Sequence, residues 1–372
     1  MIKKYKKVVN VTVTALAAVV ALVLMFSSYG GCIDPRSWPM PSLAVLAFPV
    51  VAVVSLVCLI VCLLLRNKVA TLVLGTALLL SLPAVRWNMP MSWSSAPDDE
   101  SRTFTVMTWN VMGFDFLKQD KHLSTMQHIL DVDADLVVLQ EASMEGFDFM
   151  TTLNVKELKE TVCEKYPYRS SQRADVCLLS KYPFTVVPDT TMRNRLSFDS
   201  PHTYGKIFDV KVNDRDLRII GLHMQSIGLT SDDKQLFKGV VTGQESVHSK
   251  EQARKVKHSL IDKLSGAFIR RAGEAHTVKT IVENSPENLI VCGDFNDVPG
   301  SYSYRTVRGD MHDAYIDCAT WPVNTYNRNG FYYRIDHMFY RGGFKAVASR
   351  CDKAGKSDHY PIITTFEWKD DD

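Results

Sequence analysis

Three apolar runs in the first 87 residues constrain this chain more than any other feature. They are "VVNVTVTALAAVVALVLMF" (8–26), "SLAVLAFPVVAVVSLVCLIVCLLL" (42–65) and "VATLVLGTALLLSLPAV" (69–85). No acid or base interrupts them. The first two are long enough to cross a bilayer, and the third is at the short end of that range. Three such runs in succession are unusual in a soluble core. Lys3, Lys4, Lys6 and Lys7 precede the first run, and Arg66 and Lys68 separate the second from the third. Cytoplasmic loops carry the excess of basic residues, so both sites are expected inside. Everything after the third run is then expected outside. Pro49 and Pro83 are compatible with spans, since membrane helices tolerate proline. A cleaved leader ending near "YGGC" (29–32) is the alternative for the first run. Tyr29 fits that pattern poorly, and the expected side of the remainder is unchanged.

The average composition, 46% hydrophobic and 23% charged, hides this split. Residues 1–87 are expected to form a membrane region and 88–102 a linker. Residues 103–372 have the composition of one soluble domain, long enough for a sizeable core. The net charge of +2 provides no global field of the kind that marks a nucleic-acid binder. Eight cysteines show no CxxC spacing and no zinc pattern. Cys177 and Cys292 sit in apolar strand patterns and read as buried thiols. Cys163, Cys318 and Cys351 are free to pair in an oxidising compartment.

Beyond the linker, short β-branched runs alternate with helical patterns. Strands are expected at 103–111, 135–142, 175–182, 205–212, 217–225, 288–295, 334–340 and 361–368. Helices are expected at 119–131 and 244–271. The second carries an apolar stripe of Ala253, Val256, Leu260, Leu264 and Phe268. Its basic face, including Arg270 and Arg271, reads as solvated, with anionic headgroups or a polyanionic substrate as the functional alternative.

Polar groups recur at the strand ends, where ligand sites prefer to lie: Asn110, Glu141, His223, Asp294, Asn296, Asp336, Asp358 and His359. Each alone has a bland explanation as a cap or loop residue. Together they supply two histidines, several carboxylates and two amides. Oxygen-rich sets of this kind suit Mg²⁺ or Mn²⁺ better than zinc. The chain contains no HExxH, GxSxG or Walker motif. A hard cation beside paired histidines points to phosphate-ester hydrolysis.

In order, "TWN", "LQE", "LSKYP", "LHMQS", "GDFND", "RIDHMF" and "SDHYPI" resemble the motifs of the endonuclease/exonuclease/phosphatase superfamily over about residues 103–368. The resemblance implies an α+β fold, a two-sheet β-sandwich flanked by helices in four layers (α/β/β/α), here behind three transmembrane helices. It implies a metal site at Glu141 with Asn110 and Asp358. It implies that His359 lies beside the scissile phosphate, with Asp336 as its carboxylate partner, and that Asp294 and Asn296 orient the attacking water. His223 matches the second histidine of the deoxyribonuclease I and sphingomyelinase branches and would serve as acid for the leaving oxygen. The chain departs from the pattern at "ADVCLLSKYP", where Asp175 has no role that the resemblance supplies. It also carries an insertion from about Ser226 to Pro286. Arg328, Tyr332 and Tyr333 in "NRNGFYY" are weak substrate-contact candidates. The expected partners are a lipid bilayer and a phosphate-ester substrate, either nucleic acid or phospholipid headgroup, a choice the residues leave open. An inactive membrane-displayed module is the other class, disfavoured because every motif is intact. A transporter is disfavoured because the runs contain no charge to line a path.

Overall fold

The computed structural model describes residues 2–115, 121–142, 156–170, 175–192, 204–228, 250–328, 332–353 and 357–370. Its N-terminal part is a small helical bundle. Helix α1 (Ile2–Tyr29) is long and apolar enough to cross a membrane. The second expected span is two helices, α2 (Met40–Leu46) and α3 (Phe48–Leu64), bent by 67°. The third is α4 (Lys68–Leu80) and α5 (Leu82–Asn88), bent by 54°. Pro49 and Pro83 each fall in the first turn after the break. A proline there has no N–H to give the preceding turn, and its ring crowds the carbonyl four residues back. Each pair thus counts as one span only if the bend is included. Ala17, Leu24, Phe48, Ala70 and Leu74 form the bundle's core.

The rest of the chain forms two six-stranded mixed sheets. The first is ordered β11 (Phe344–Cys351), β12 (Ile362–Trp368), β1 (Thr103–Asn110), β2 (Leu136–Gln140), β4 (Val176–Ser180) and β3 (Tyr168–Arg169). The second is ordered β5 (Phe184–Val187), β6 (Gly205–Val212), β7 (Arg215–His223), β8 (Leu289–Asp294), β10 (Asp336–Arg341) and β9 (His312–Asp313). Among the described strands, only β1–β2 and β7–β8 pair in parallel. The sheets face each other over Phe104, Val138, Phe208, Ile219, Ile290 and Met338. Helices α6 (Lys121–Val132) and α7 (Lys156–Lys165) cover the first sheet, packing on Met107, Trp109 and Leu139. Helices α8 (Lys250–Glu283) and α9 (Tyr302–Arg308) cover the second, on Ile220, Val291 and Phe339. The expected four layers are present. The short helix α10 (Ala314–Cys318) completes the described helices. Residues 119, 120 and 244–249 of the expected helices, and most of the insertion's first half, lie outside the described residues.

Strand parity aims the polar ends. In β1, Phe104 and Val106 face the other sheet while Met107 and Trp109 face the helices. Two-residue alternation therefore turns Asn110 inward. The same count from Ile290 and Cys292 turns Asp294 inward, and from Met338 it turns Asp336 inward. From Leu217 and Ile219 it does the same for His223. Register then aligns them. His223 pairs with Asp294 across β7–β8, and Asp294 pairs with Asp336 across β8–β10.

All eight cysteines are free thiols, so the pairing open to Cys163, Cys318 and Cys351 is not used. Cys177 and Cys292 are buried, as their apolar surroundings predict.

Bundle and sandwich are docked. Trp87 lies under the guanidinium of Arg305 at 4.3 Å and near that of Arg308 at 5.6 Å. Arg305 Nη2 donates to Ser28 O at 2.9 Å. Gly31 packs so closely on Gly300 that a Cβ would fall 1.9 Å from the Gly300 carbonyl. The segment between the halves is laid on the sandwich, with Ser92 N donating to Ala319 O and Ser95 N to Val347 O. The buried Arg334 grips both Asp313 oxygens, at 3.0 and 3.2 Å, and donates to Trp87 O at 3.1 Å. Removing one partner of a buried pair strands the other charge. Arg334→Met is therefore expected to cost about 3–5 kcal/mol, and adding Asp313→Asn should restore much of the loss. Thermal or denaturant melting of the single and double variants checks both outcomes.

Candidate active site

The inward polar ends of both sheets converge at one edge of the sandwich. Asp294 is at the centre, with 1% of its surface exposed. Its Oδ2 accepts from Asn110 Nδ2 at 3.1 Å and Asn296 Nδ2 at 3.2 Å, and its Oδ1 from the Asn296 backbone N–H at 2.7 Å. Gly293 precedes it at φ +141°, and a Cβ there would fall 2.0 Å from the Leu222 carbonyl. Only glycine permits β7 and β8 to approach this closely. Burial pushes the Asp294 carboxyl up, the neighbouring Asp336 adds to this, and His359 and His223 oppose it.

Two Asp–His dyads flank Asp294. His359 Nδ1 bonds Asp336 Oδ2 at 2.9 Å, leaving Nε2 3.7 Å from Asp294 Oδ2. His223 Nδ1 bonds Asp175 Oδ2 at 2.6 Å, leaving Nε2 3.8 Å from Asp294 Oδ2 and 3.5 Å from Glu141 Oε1. Burial opposes charge on both imidazoles. The surrounding carboxylates outweigh it and hold each ring protonated up to about 10, led by Asp175 for His223 and by Asp336 for His359. The loop carrying His359 is pinned to β1. Ser357 Oγ donates to Asn110 O at 2.6 Å, and Trp109 Nε1 donates to His359 O at 2.9 Å.

Glu141 leaves β2 at φ 52°, a left-handed conformation uncommon for a residue other than glycine. Such strain, of order 1–3 kcal/mol, clusters at functional sites. It is held by the Gly113 N–H on the Glu141 carbonyl at 2.7 Å. Its carboxylate takes Asn110 Nδ2 at 3.0 Å, and burial pushes it up. Asn296 is also left-handed, at φ 51°, which asparagine tolerates better.

A cavity of about 620 Å³ opens over this cluster and is lined by Glu141, His223, Asp294, Asn296, Asp358 and His359. Nine of the eleven expected residues thus share one site directly or through a single bond: these six and Tyr333 line the cavity, Asn110 joins through Asp294, and Asp336 joins through His359. Arg328 and Tyr332 do not line the cavity, and Tyr332 is 60% exposed. The third of these candidates, Tyr333, does line it, as does Tyr326, whose ring is edge-on to His359. Residues 329–331 lie outside the described residues. Arg271 leaves its expected solvated face. It is 1% exposed, lines the cavity and pairs with Asp297 at 3.3 Å.

Asp175 was the residue without a role. Its strand β4 runs antiparallel to β2, so the active edge meets the start of β4 rather than its end. A search for polar groups following apolar runs passes over it.

The donor set fits a hard divalent cation. Among the described residues, Glu141, Asp175, Asp294 and Asp336 form no ion pair with Lys or Arg, and their cationic partners are the two imidazoles. Asp336 Oδ1 is buried with no hydrogen-bond partner there. Donor atoms of Asp294, Asp336 and His359 gather within 4.8 Å of one another, a grouping that differs from the expected Glu141, Asn110 and Asp358. Asp336 and His359 spend donor atoms on each other, so this trio is better suited to handling protons. Glu141 and Asp358 line the cavity.

Residues 107–359 match the model of the Endonuclease/Exonuclease/phosphatase family, and residues 7–87 match a domain of unknown function, DUF8431. No curated protein matches the chain. Solved structures similar to it include humanized TDP2 of D. rerio (15% identity, 72% of this chain and 99% of that one, TM-score 0.44). The human Nocturnin catalytic domain with bound sulfate is similar over 72% and 95% (15% identity, TM-score 0.43). A family protein of Bacteroides thetaiotaomicron is similar over 74% and 97% (16% identity, TM-score 0.43).

The Asp175–His223 bond generates a prediction. An opposite charge at this range raises an imidazole by roughly 1–3 pH units. In metal-free Asp175→Asn protein, the His223 ring should titrate that much below its value of about 10. Imidazole NMR resonances followed across pH check it, with the His359 resonance as internal reference.

Proposed function

Because the chain belongs to the endonuclease/exonuclease/phosphatase family, whose members are metal-dependent phosphoesterases, we propose that it hydrolyses a phosphodiester by in-line attack of water, tethered to a membrane through residues 1–87. The observation that carries this reading is the convergence of two Asp–His dyads on Asp294, each with Nε2 within 3.8 Å of Oδ2.

Asp294 and Asn296 orient the water, and Asp294 accepts its proton. Burial, which raises Asp294, makes the carboxylate a better base than one in water. His359, kept charged by Asp336, serves as a hydrogen-bond donor to a non-bridging phosphate oxygen rather than as a base. His223, kept charged by Asp175, donates a proton to the leaving oxygen. Mg²⁺ or Mn²⁺ at Glu141 and Asp358 would neutralise charge gathering on the phosphate oxygens, with Asn110, whose amide nitrogen bonds Glu141 and whose oxygen takes the Met112 N–H, holding Glu141 in place instead of ligating as expected. The step balances. Water's oxygen bonds to phosphorus, the P–O bond to the alcohol breaks with its electron pair, and the alcohol leaves protonated.

The division into membrane region 1–87, linker 88–102 and catalytic domain 103–372 belongs to the same reading. So do three spans and an extracytoplasmic catalytic domain, which the basic residues at Lys3–Lys7 and Arg66–Lys68 support.

A general base contributes about 10²–10⁴-fold, and a donor aimed at developing oxyanion charge about 10²–10³-fold. Asp294→Ala and His359→Ala should lose turnover of bis-p-nitrophenyl phosphate in Mg²⁺ or Mn²⁺ by those factors respectively, and a chelator should abolish it. Melting curves run alongside separate lost chemistry from lost folding. Full turnover in a well-folded His359→Ala protein would overturn the assignment.

A further inference from the structure

Part of the cavity over the active site is lined by apolar residues that belong to neither the catalytic cluster nor the hydrophobic cores. One wall is Leu46, Ala47 and Val50, at the bend between α2 and α3. The facing wall is Leu260, Leu264 and Phe268, three residues at helical spacing on α8. Leu260 and Leu264 are only half-buried, and Val50 is 68% exposed. The apolar residues of this slot line the same cavity as Glu141, Asp294 and His359.

Its position along the bundle matters. The 17 residues of α3 rise about 26 Å, close to the roughly 30 Å of a bilayer's hydrocarbon layer. With α3 across the membrane, its first turn and the bend before it lie at the layer's edge. Trp38 precedes the bend, 49% exposed and 5.6 Å from the Phe26 ring, as suits an interfacial anchor. The slot therefore opens at the depth where acyl chains begin and ends where the phosphate chemistry is arranged.

The lining also argues against a polynucleotide. Nucleic-acid affinity comes largely from Lys and Arg on phosphates. Among the described lining residues Arg271 is the one Lys or Arg, and Asp297 already pairs with it.

Resting on the phosphodiesterase reading above, we infer that the substrate is a membrane lipid phosphodiester, its chain lying between the α2–α3 bend and the Leu260–Leu264–Phe268 stripe and its phosphate beside Asp294 and His359. The hydrolysis is the one already balanced, leaving a phosphomonoester and an alcohol.

The test uses the full-length protein in lipid nanodiscs and a series of alkyl p-nitrophenyl phosphates with methyl, butyl and octyl chains. No headgroup need be guessed, and p-nitrophenolate release reads every member. Each methylene taken from water is worth about fourfold, so burying three or four of the octyl chain raises kcat/KM by roughly 100-fold over methyl. Leu46→Asp and, on the opposite wall, Leu264→Asp should each cut the octyl-to-methyl ratio at least tenfold, while partition into the nanodisc is common to all proteins. Methyl-ester turnover reports whether a variant has folded. Equal rates for methyl and octyl, or a ratio that both variants leave unchanged, would overturn the lipid assignment while the phosphodiesterase stands. Absence of metal-dependent release from every ester would instead overturn the phosphodiesterase reading itself.

Discussion

One buried carboxylate organises the catalytic edge. Asp294 takes an amide from Asn110 in the first sheet and sits on the second, so it ties the sheets where their strands end. A desolvated carboxylate is costly unless its lone pairs are used and positive charge is near. That requirement explains the surroundings. Asn110 and Asn296 supply the donors, two imidazoles supply the charge, and each imidazole needs its own aspartate to stay protonated in so dry a place. The pattern is self-consistent only as a set, so the residues that gather at the candidate active site also hold the edge of the sandwich together.

Much of this was legible in the sequence because strand periodicity is strict. Once Ile290 and Cys292 are assigned inward, Asp294 follows, and Asn110 and His223 follow in the same way. What was not legible has physical reasons. Asp175 lies at the start of its strand, on an antiparallel neighbour, where the rule of polar ends looks in the wrong direction. Strands β3 and β9 are two residues each, too short for any period. Strand β11, "FKAVASRC", breaks alternation with a bulge between Ala346 and Ala348. Arg271 looked solvated because its local neighbours are basic, and its partner Asp297 is remote from it in the pattern.

The prolines show the same limit in the N-terminal helical bundle. Pro49 and Pro83 are compatible with a continuous span or with a broken one, and composition does not distinguish them. Packing decides, and here both positions become bends of more than 50°. One bend shapes the slot above the active site, and the other leads into Trp87, on which the sandwich rests.

That resting contact governs how the molecule meets its surroundings. A flexible tether of about 14 residues would let a domain wander roughly 20 Å from its anchor. Trp87 against Arg305 and Arg308, the Arg334 bond to Trp87 and the Gly31–Gly300 contact remove that freedom. The domain is left in one orientation on the helical bundle. The cavity lined by both halves therefore keeps one shape, which a domain loose on its tether could not offer.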